Sequence, residues 1–138
     1  MPETRIKLQD GMRFSAITGS GHEVVMDASQ EFGGQNTAAR PMELLLAGLG
    51  GCTGMDVISI LRKKKQEVTS FEIIVKGERA EDHPKRYTGV EVEFVIKGKN
   101  LNEEAVKRAV ELSMDKYCSV KATFEGNTPV KYHYTINQ

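Results

Sequence analysis

At 138 residues the chain has room for one ordinary hydrophobic core and too little for two. Lys plus Arg number 19 and Asp plus Glu number 19, so the formal net charge is zero and no long-range field gathers nucleic-acid phosphates or anionic lipid. With 39% hydrophobic and 28% charged residues the composition lies outside the corner where chains stay unfolded, and one soluble domain over 1–138 is expected.

The stretch Met1-Pro2-Glu3-Thr4-Arg5 enters a charged strand pattern without an apolar signal core, so no cleaved leader and a cytoplasmic location are expected. Ile6/Leu8, Met12/Phe14/Ala16/Thr18 and Val24 to Met26 alternate as strands, separated by Asp10-Gly11 and Gly19-Ser20-Gly21, and predict an antiparallel meander. Gln30 to Arg40 is polar, holds Gly33-Gly34 and Asn36, and reads as a loop ending at Pro41, which suits a first helical turn. Pro41 to Gln66 is then the longest helical candidate, apolar almost all round to Leu61 and closed by Arg62-Lys63-Lys64-Lys65. Its apolar stretch approaches membrane length, but it carries Glu43, Asp56 and four glycines and has no second span beside it, so a buried helix is expected and no membrane.

Val68 to Arg79 and Tyr87 to Lys97 alternate with β-branched and aromatic residues and predict a hairpin whose longer loop carries Pro84. Asn100, with Glu103 three positions on, predicts the cap of a second helix whose inner stripe is Ala105, Val106, Ala109, Val110, Leu112 and Ser113 and which runs to Tyr117. Val120 to Phe124 and Val130 to Ile136 are expected as two closing strands across Glu125-Gly126-Asn127-Thr128-Pro129. The whole reads as α+β and largely antiparallel, without repeat, low-complexity tract or linker.

The first helix carries the most chemical information. Glycine costs a helix interior about 1 kcal/mol against alanine, so Gly48, Gly50, Gly51 and Gly54 together oppose the helix and something must offset them. Small residues permit close approach by a backbone, another helix or a ligand, and Cys52 sits among them with Asp56 one turn on. A lone core cysteine is most often a small hydrophobe. Here the glycines make room at the thiol, and Cys118 ends the other long helix. The two cysteines are 66 positions apart, neither a CxxC pair nor a metal-ligand spacing. If the helices pack together the thiols could meet, a disulfide needing Cα atoms about 4–7 Å apart. A thiolate would need positive charge or donors beside it, from Arg40, Arg13 or a partner subunit. Asp56, a carboxylate in an apolar helix, needs a hydrogen-bond partner. His83 reads as a solvated loop residue, while His22 and His133 lack a ligand partner at i+2 or i+4, so neither a metal nor another cofactor is expected.

Arg40 to Val57, with its Leu-Leu-Leu-Ala-Gly-Leu-Gly-Gly-Cys-Thr-Gly-Met-Asp-Val run, resembles the central helix of OsmC/Ohr proteins, and Tyr117-Cys118-Ser119-Val120 resembles their second cysteine segment. Element order fits over nearly the whole chain. The resemblance implies an OsmC-like fold of antiparallel sheets with two main helices, the cysteine helix central, as an intertwined homodimer with its active sites at the subunit interface. It implies thiol-dependent reduction of hydroperoxides, with Cys52 as peroxidatic nucleophile, Cys118 as resolving thiol and an external dithiol restoring the pair. An apolar pocket from the Leu44, Leu45, Leu49, Met55 and Phe124 region would then favour organic hydroperoxides, at roughly 0.8 kcal/mol per buried CH₂.

In the hydroperoxide-reducing branch a glutamate directly follows the helix-starting proline and pairs with an arginine of the meander. Here Met42 follows Pro41 and Glu43 comes next, a step that turns the side chain by about 100°. Glu43 is the candidate catalytic carboxylate and Arg13 the meander arginine beyond Arg5. Length separately favours a dimer, since a 26-residue helix spans roughly 39 Å, long for a domain this small to cover. The alternative is a non-catalytic OsmC-like dimer that binds a small apolar ligand or senses redox state, and a third reading is a structural dimer with inert thiols.

Overall fold

The computed structural model describes residues 1–137, arranged as two compact units, Met1–Leu45 and the part from Leu46 onward. In the first unit β1 (Arg5–Asp10), β2 (Arg13–Ile17) and β3 (Glu23–Met26) form the expected antiparallel meander, with Leu8 opposite Phe14 and Phe14 opposite Met26. Asp27 closes β3 and organises the following loop. Its buried carboxylate accepts the backbone N–H groups of Ala28, Gln35 and Thr37 and the Thr37 hydroxyl. The loop folds back so tightly that a Cβ on Gly34 would overlap the carbonyl of Ala28, which leaves glycine as the residue that fits.

Helix α1 (Pro41–Lys63) starts at a half capping box: the Arg40 carbonyl accepts the N–H of Glu43 at 3.0 Å, and the Glu43 carboxylate accepts the N–H of Arg40 at 2.8 Å. It ends three residues before the expected Gln66. Lys65 takes the left-handed conformation (φ 59°), its N–H reaching the Arg62 carbonyl while the Gln66 N–H reaches that of Leu61. This is a Schellman stop made without glycine, which composition alone does not announce.

In the second unit β4 (Glu67–Arg79) and β5 (Tyr87–Lys99) are the expected hairpin, slightly longer at its open end. β5 is the central strand, with Val92, Phe94 and Ile96 fully buried on one face. Glycines let α1 settle on β4: a Cβ on Gly50 would lie 3.1 Å from Val75 Cγ2, and one on Gly54 would lie 2.7 Å from Ile73 Cδ1. Leu49, Thr53, Val57 and Leu61 complete the buried stripe of α1. By length and composition alone this helix is long and apolar enough to cross a membrane, yet that stripe belongs to the core.

Helix α2 (Glu103–Leu112) is capped by Asn102, whose side chain accepts the Ala105 N–H, and not by Asn100, which adopts φ 50° in the turn after β5. A π turn (Ser113–Tyr117) continues it, closed by the Cys118 N–H on the Ser113 carbonyl at 2.7 Å. The segment expected as a strand from Val120 to Phe124 is a helix, α3 (Ser119–Phe124). Its alternating Val120, Ala122 and Phe124 mimic a strand, but β6 (Val130–Asn137) pairs parallel to β5, and a parallel return requires a crossover rather than a hairpin. The α+β reading stands, with one parallel pair among the antiparallel ones.

Candidate active site

Cys52 stands at mid-helix in α1, with Gly48 one turn before it and Asp56 one turn after. Nothing lies within 4 Å of a Cβ built on Gly48 or on Gly51, so the glycines divide by role: Gly50 and Gly54 admit the sheet, while Gly48 leaves the approach along the Cys52 face open. Cys118 arrives from the π turn as the residue before α3, its Sγ accepting the Lys121 N–H at 3.4 Å. The structure brings the two together. The Sγ atoms of Cys52 and Cys118 and a carboxylate oxygen of Asp56 all lie within 4.8 Å of one another, both thiols being free.

A buried polar link holds this arrangement. Ser113 Oγ donates to Asp56 Oδ2 at 2.8 Å and, having one proton to give, accepts from Thr53 Oγ1 at 2.6 Å. Thr53 and Ser113 are fully buried. Ser113 therefore ties α1 through its side chain and Cys118 through its carbonyl, which fixes the second sulfur relative to the first. In the sequence Ser113 is legible as an inward position continuing the stripe of α2 but not as this link; a hydroxyl at an inward position of each segment is the available signal.

The two sulfurs differ in surroundings. Cys118 is 4% exposed and Cys52 is half-buried. Burial pushes the Cys118 thiol up from 9 to about 11; the Lys121 N–H pulls against this, and the neighbouring Cys52 and the charge of Asp56 add to it. At neutral pH Cys118 is a thiol.

The remaining candidates lie elsewhere in the hydrogen-bonding scheme. Glu43 uses Oε1 to cap α1, and among the described residues it forms no ion pair with an arginine. Arg13 donates to Gln9 Oε1 at 2.9 Å and to Thr37 Oγ1 at 2.6 Å, and Arg40 to Asn36 Oδ1 at 2.7 Å and the Ala38 carbonyl at 3.0 Å. Of the expected pocket residues Leu49 is sealed in the core, whereas Leu45 and Met55 are 44% and 74% exposed. A groove of about 420 Å³ does form, lined instead by Leu46, Ala47, Gly50, Gly51, Phe71, Ile73 and Val75. At 100° per residue its helix positions point away from Cys52, so it opens on the other side of α1.

A family model described as OsmC-like protein matches residues 34–133, which span α1, both cysteines, the β4–β5 hairpin and the start of β6. The chain belongs to the OsmC-like family. It is 36% identical over 134 residues to Protein YhfA of Escherichia coli K12, covering 97% of each. A crystal structure of an Aquifex aeolicus VF5 protein superposes with a TM-score of 0.81 at 36% identity, covering 100% of this chain and 98% of that one. The organic hydroperoxide resistance protein OsmC of Legionella pneumophila shares the OsmC-like fold, with a TM-score of 0.71 at 18% identity over 98% of this chain and 96% of that one.

Proposed function

We propose that the protein is a thiol-dependent hydroperoxide reductase working through Cys52 and Cys118. The observation that carries this reading is the convergence of two free thiols, one reachable and one buried, within 4.8 Å. Cys52 is the group a hydroperoxide meets. Its thiolate attacks the outer oxygen, the O–O bond breaks, the sulfur becomes a sulfenic acid and the alkoxide leaves as an alcohol after taking a proton. Cys118, with its thiol near 11, is ionised about one part in ten thousand at pH 7 and is unsuited to the first attack. It is suited to the second: its sulfur displaces hydroxide from the sulfenic acid, its proton completes the water released, and a Cys52–Cys118 disulfide forms. An external dithiol then restores both thiols, being itself oxidised to a disulfide.

Asp56, within 4.8 Å of both sulfurs, is the group that would relay the Cys118 proton to the departing hydroxide in that second step, and the Ser113 hydroxyl orients it. Glu43 enters as a positioning residue, fixing the start of the helix that carries Cys52. A homodimer is part of the proposal, because Leu45 and Met55 on α1 and Ile6, Leu8, Met12, Phe14 and Ile17 of the meander are exposed apolar surface. For the reaction rather than the assembly, the hydroperoxide-resistance name of the Legionella protein supports the same reading.

The test is to titrate the reduced protein with tert-butyl hydroperoxide, count thiols and map disulfides by mass spectrometry. Loss of two thiols per chain, a Cys52–Cys118 bond and abolition by Cys52→Ser are expected. Oxidation no faster than that of free cysteine would overturn the assignment. The apolar groove on β4 favours a second reading, a small-ligand carrier, which predicts that slow oxidation together with retention of an apolar molecule.

A further inference from the structure

The sequence spacing offered no metal site, yet the fold assembles three ligands, two thiols and a carboxylate, that suit one. Cys52 and Asp56 are an i, i+4 pair on one helix, and Cys118 is added from the π turn, the three donor atoms lying within 4.8 Å of one another. Tetrahedral zinc, with about 2.3 Å to sulfur and about 2.0 Å to oxygen, holds its ligand atoms about 3.5–3.8 Å apart. Binding would close the difference through the side-chain torsions of half-buried Cys52 and Asp56. The carboxylate is also not taken up by a cationic side chain: among the described residues no lysine or arginine forms an ion pair with Asp56, whose hydrogen-bond donor is the Ser113 hydroxyl.

We propose that the reduced chain binds one thiophilic divalent cation of the zinc class through Cys52 Sγ, Cys118 Sγ and an Asp56 carboxylate oxygen, with a fourth position open to water. The partners around these ligands are already in place. Ser113 Oγ donates to Asp56 Oδ2 at 2.8 Å, and the Lys121 N–H donates to the Cys118 sulfur at 3.4 Å. Cys52 and Asp56 leave the side by which an ion enters partly exposed, while buried Cys118 forms the floor. Binding displaces the thiol protons to solvent and leaves both sulfurs reduced. Since the same two sulfurs form the proposed disulfide, metal and disulfide exclude each other, and the cation would protect the pair from oxidation. The binding claim itself does not rest on the peroxidase reading.

The test uses the full chain, reduced, stripped with chelator and kept free of oxygen. Titration with Co²⁺ should saturate at one equivalent per chain and give thiolate-to-cobalt absorption in the near ultraviolet, which Zn²⁺ displaces. Competition with a chromophoric chelator should show Asp56→Ala weakening Zn²⁺ binding by about tenfold or more. Cys52→Ser should lose roughly half of the charge-transfer intensity, one of two thiolates having gone. No saturable uptake by the reduced wild-type chain at micromolar metal overturns the proposal, as does an Asp56→Ala affinity equal to wild type. The cobalt spectrum needs no substitution, so a variant that fails to fold leaves the test standing. No peroxide is present, so failure here and failure of the hydroperoxide reading register in separate experiments.

Discussion

Cys118 and Cys52 carry the same functional group, and what surrounds each decides what it can do. Burial holds Cys118 as a thiol, with Asp56 nearby as the group able to take its proton. Replacing Cys118 with serine should therefore leave the first oxidation intact and stop the cycle at the sulfenic acid. One equivalent of hydroperoxide would be consumed per chain, with Cys52 trapped as a dimedone adduct; absence of that adduct would refute the order of attack. Burial also gives a sign to alkaline stability. Because the Cys118 pKa is raised in the folded state, the unfolded chain releases its proton first, so stability should fall between pH 9 and about 11 and Cys118→Ser should flatten that fall. Asp27 behaves oppositely. The Thr37 hydroxyl, helped by the backbone N–H groups of Thr37, Ala28 and Gln35 and opposed by desolvation, brings its carboxyl down from 3.8 to about 2. Its contribution is complete above pH 4 and lost as pH falls towards 2. Urea denaturation at pH 3 and pH 6 should show a smaller difference in Asp27→Asn than in the wild-type chain.

Elements connect these residues, and here the amino-acid order was legible to an uneven degree. The β4–β5 hairpin could be read almost to the residue, because alternation along strands with one buried face is a strong period-2 signal. Helix α1 could be read from its apolar run and Pro41, but its Schellman end falls on Lys65, a residue that does not advertise a left-handed turn. Short α3 carried a strand-like alternation, and only the parallel pairing of β6 decides against it. At the site, the glycine-framed Cys52 and helix-terminal Cys118 were visible as candidates. The Thr53–Ser113–Asp56 link was not, since it exists only once two helices 60 positions apart in sequence meet. Its energetics can be measured. Ser113→Ala removes the donor to Asp56 and the acceptor for Thr53 from a sealed interior, so unfolding free energy should drop by about 1–3 kcal/mol. Adding Thr53→Val should cost less than the separate effects summed, and additivity would mean that the hydroxyls are not coupled.

Across the whole chain, the unresolved imbalance is apolar surface facing outward on both units, which the proposed homodimer would cover. Alanine at two kinds of glycine separates the forces involved. Gly54→Ala should destabilise the chain at every concentration, because its Cβ would sit 2.7 Å from Ile73 Cδ1 in the core contact between α1 and β4. Gly48 has open space about it, so within an isolated chain alanine there should add about 1 kcal/mol of helix stability. If a second copy packs on this face of α1, the same methyl group instead meets the partner. The Gly48→Ala melting temperature should then become lower than wild type at high concentration, where dimer dominates, and higher at low concentration, where it does not. Sedimentation velocity supplies the species at each concentration. A wild-type chain that sediments as a monomer throughout, with Gly48→Ala uniformly stabilising, would remove the homodimer from the proposal. Met55→Lys places a charge on a side chain that is 74% exposed in the single chain, where it should cost under about 0.5 kcal/mol. A larger loss that grows with protein concentration would locate Met55 inside the interface, because only a buried lysine carries that penalty.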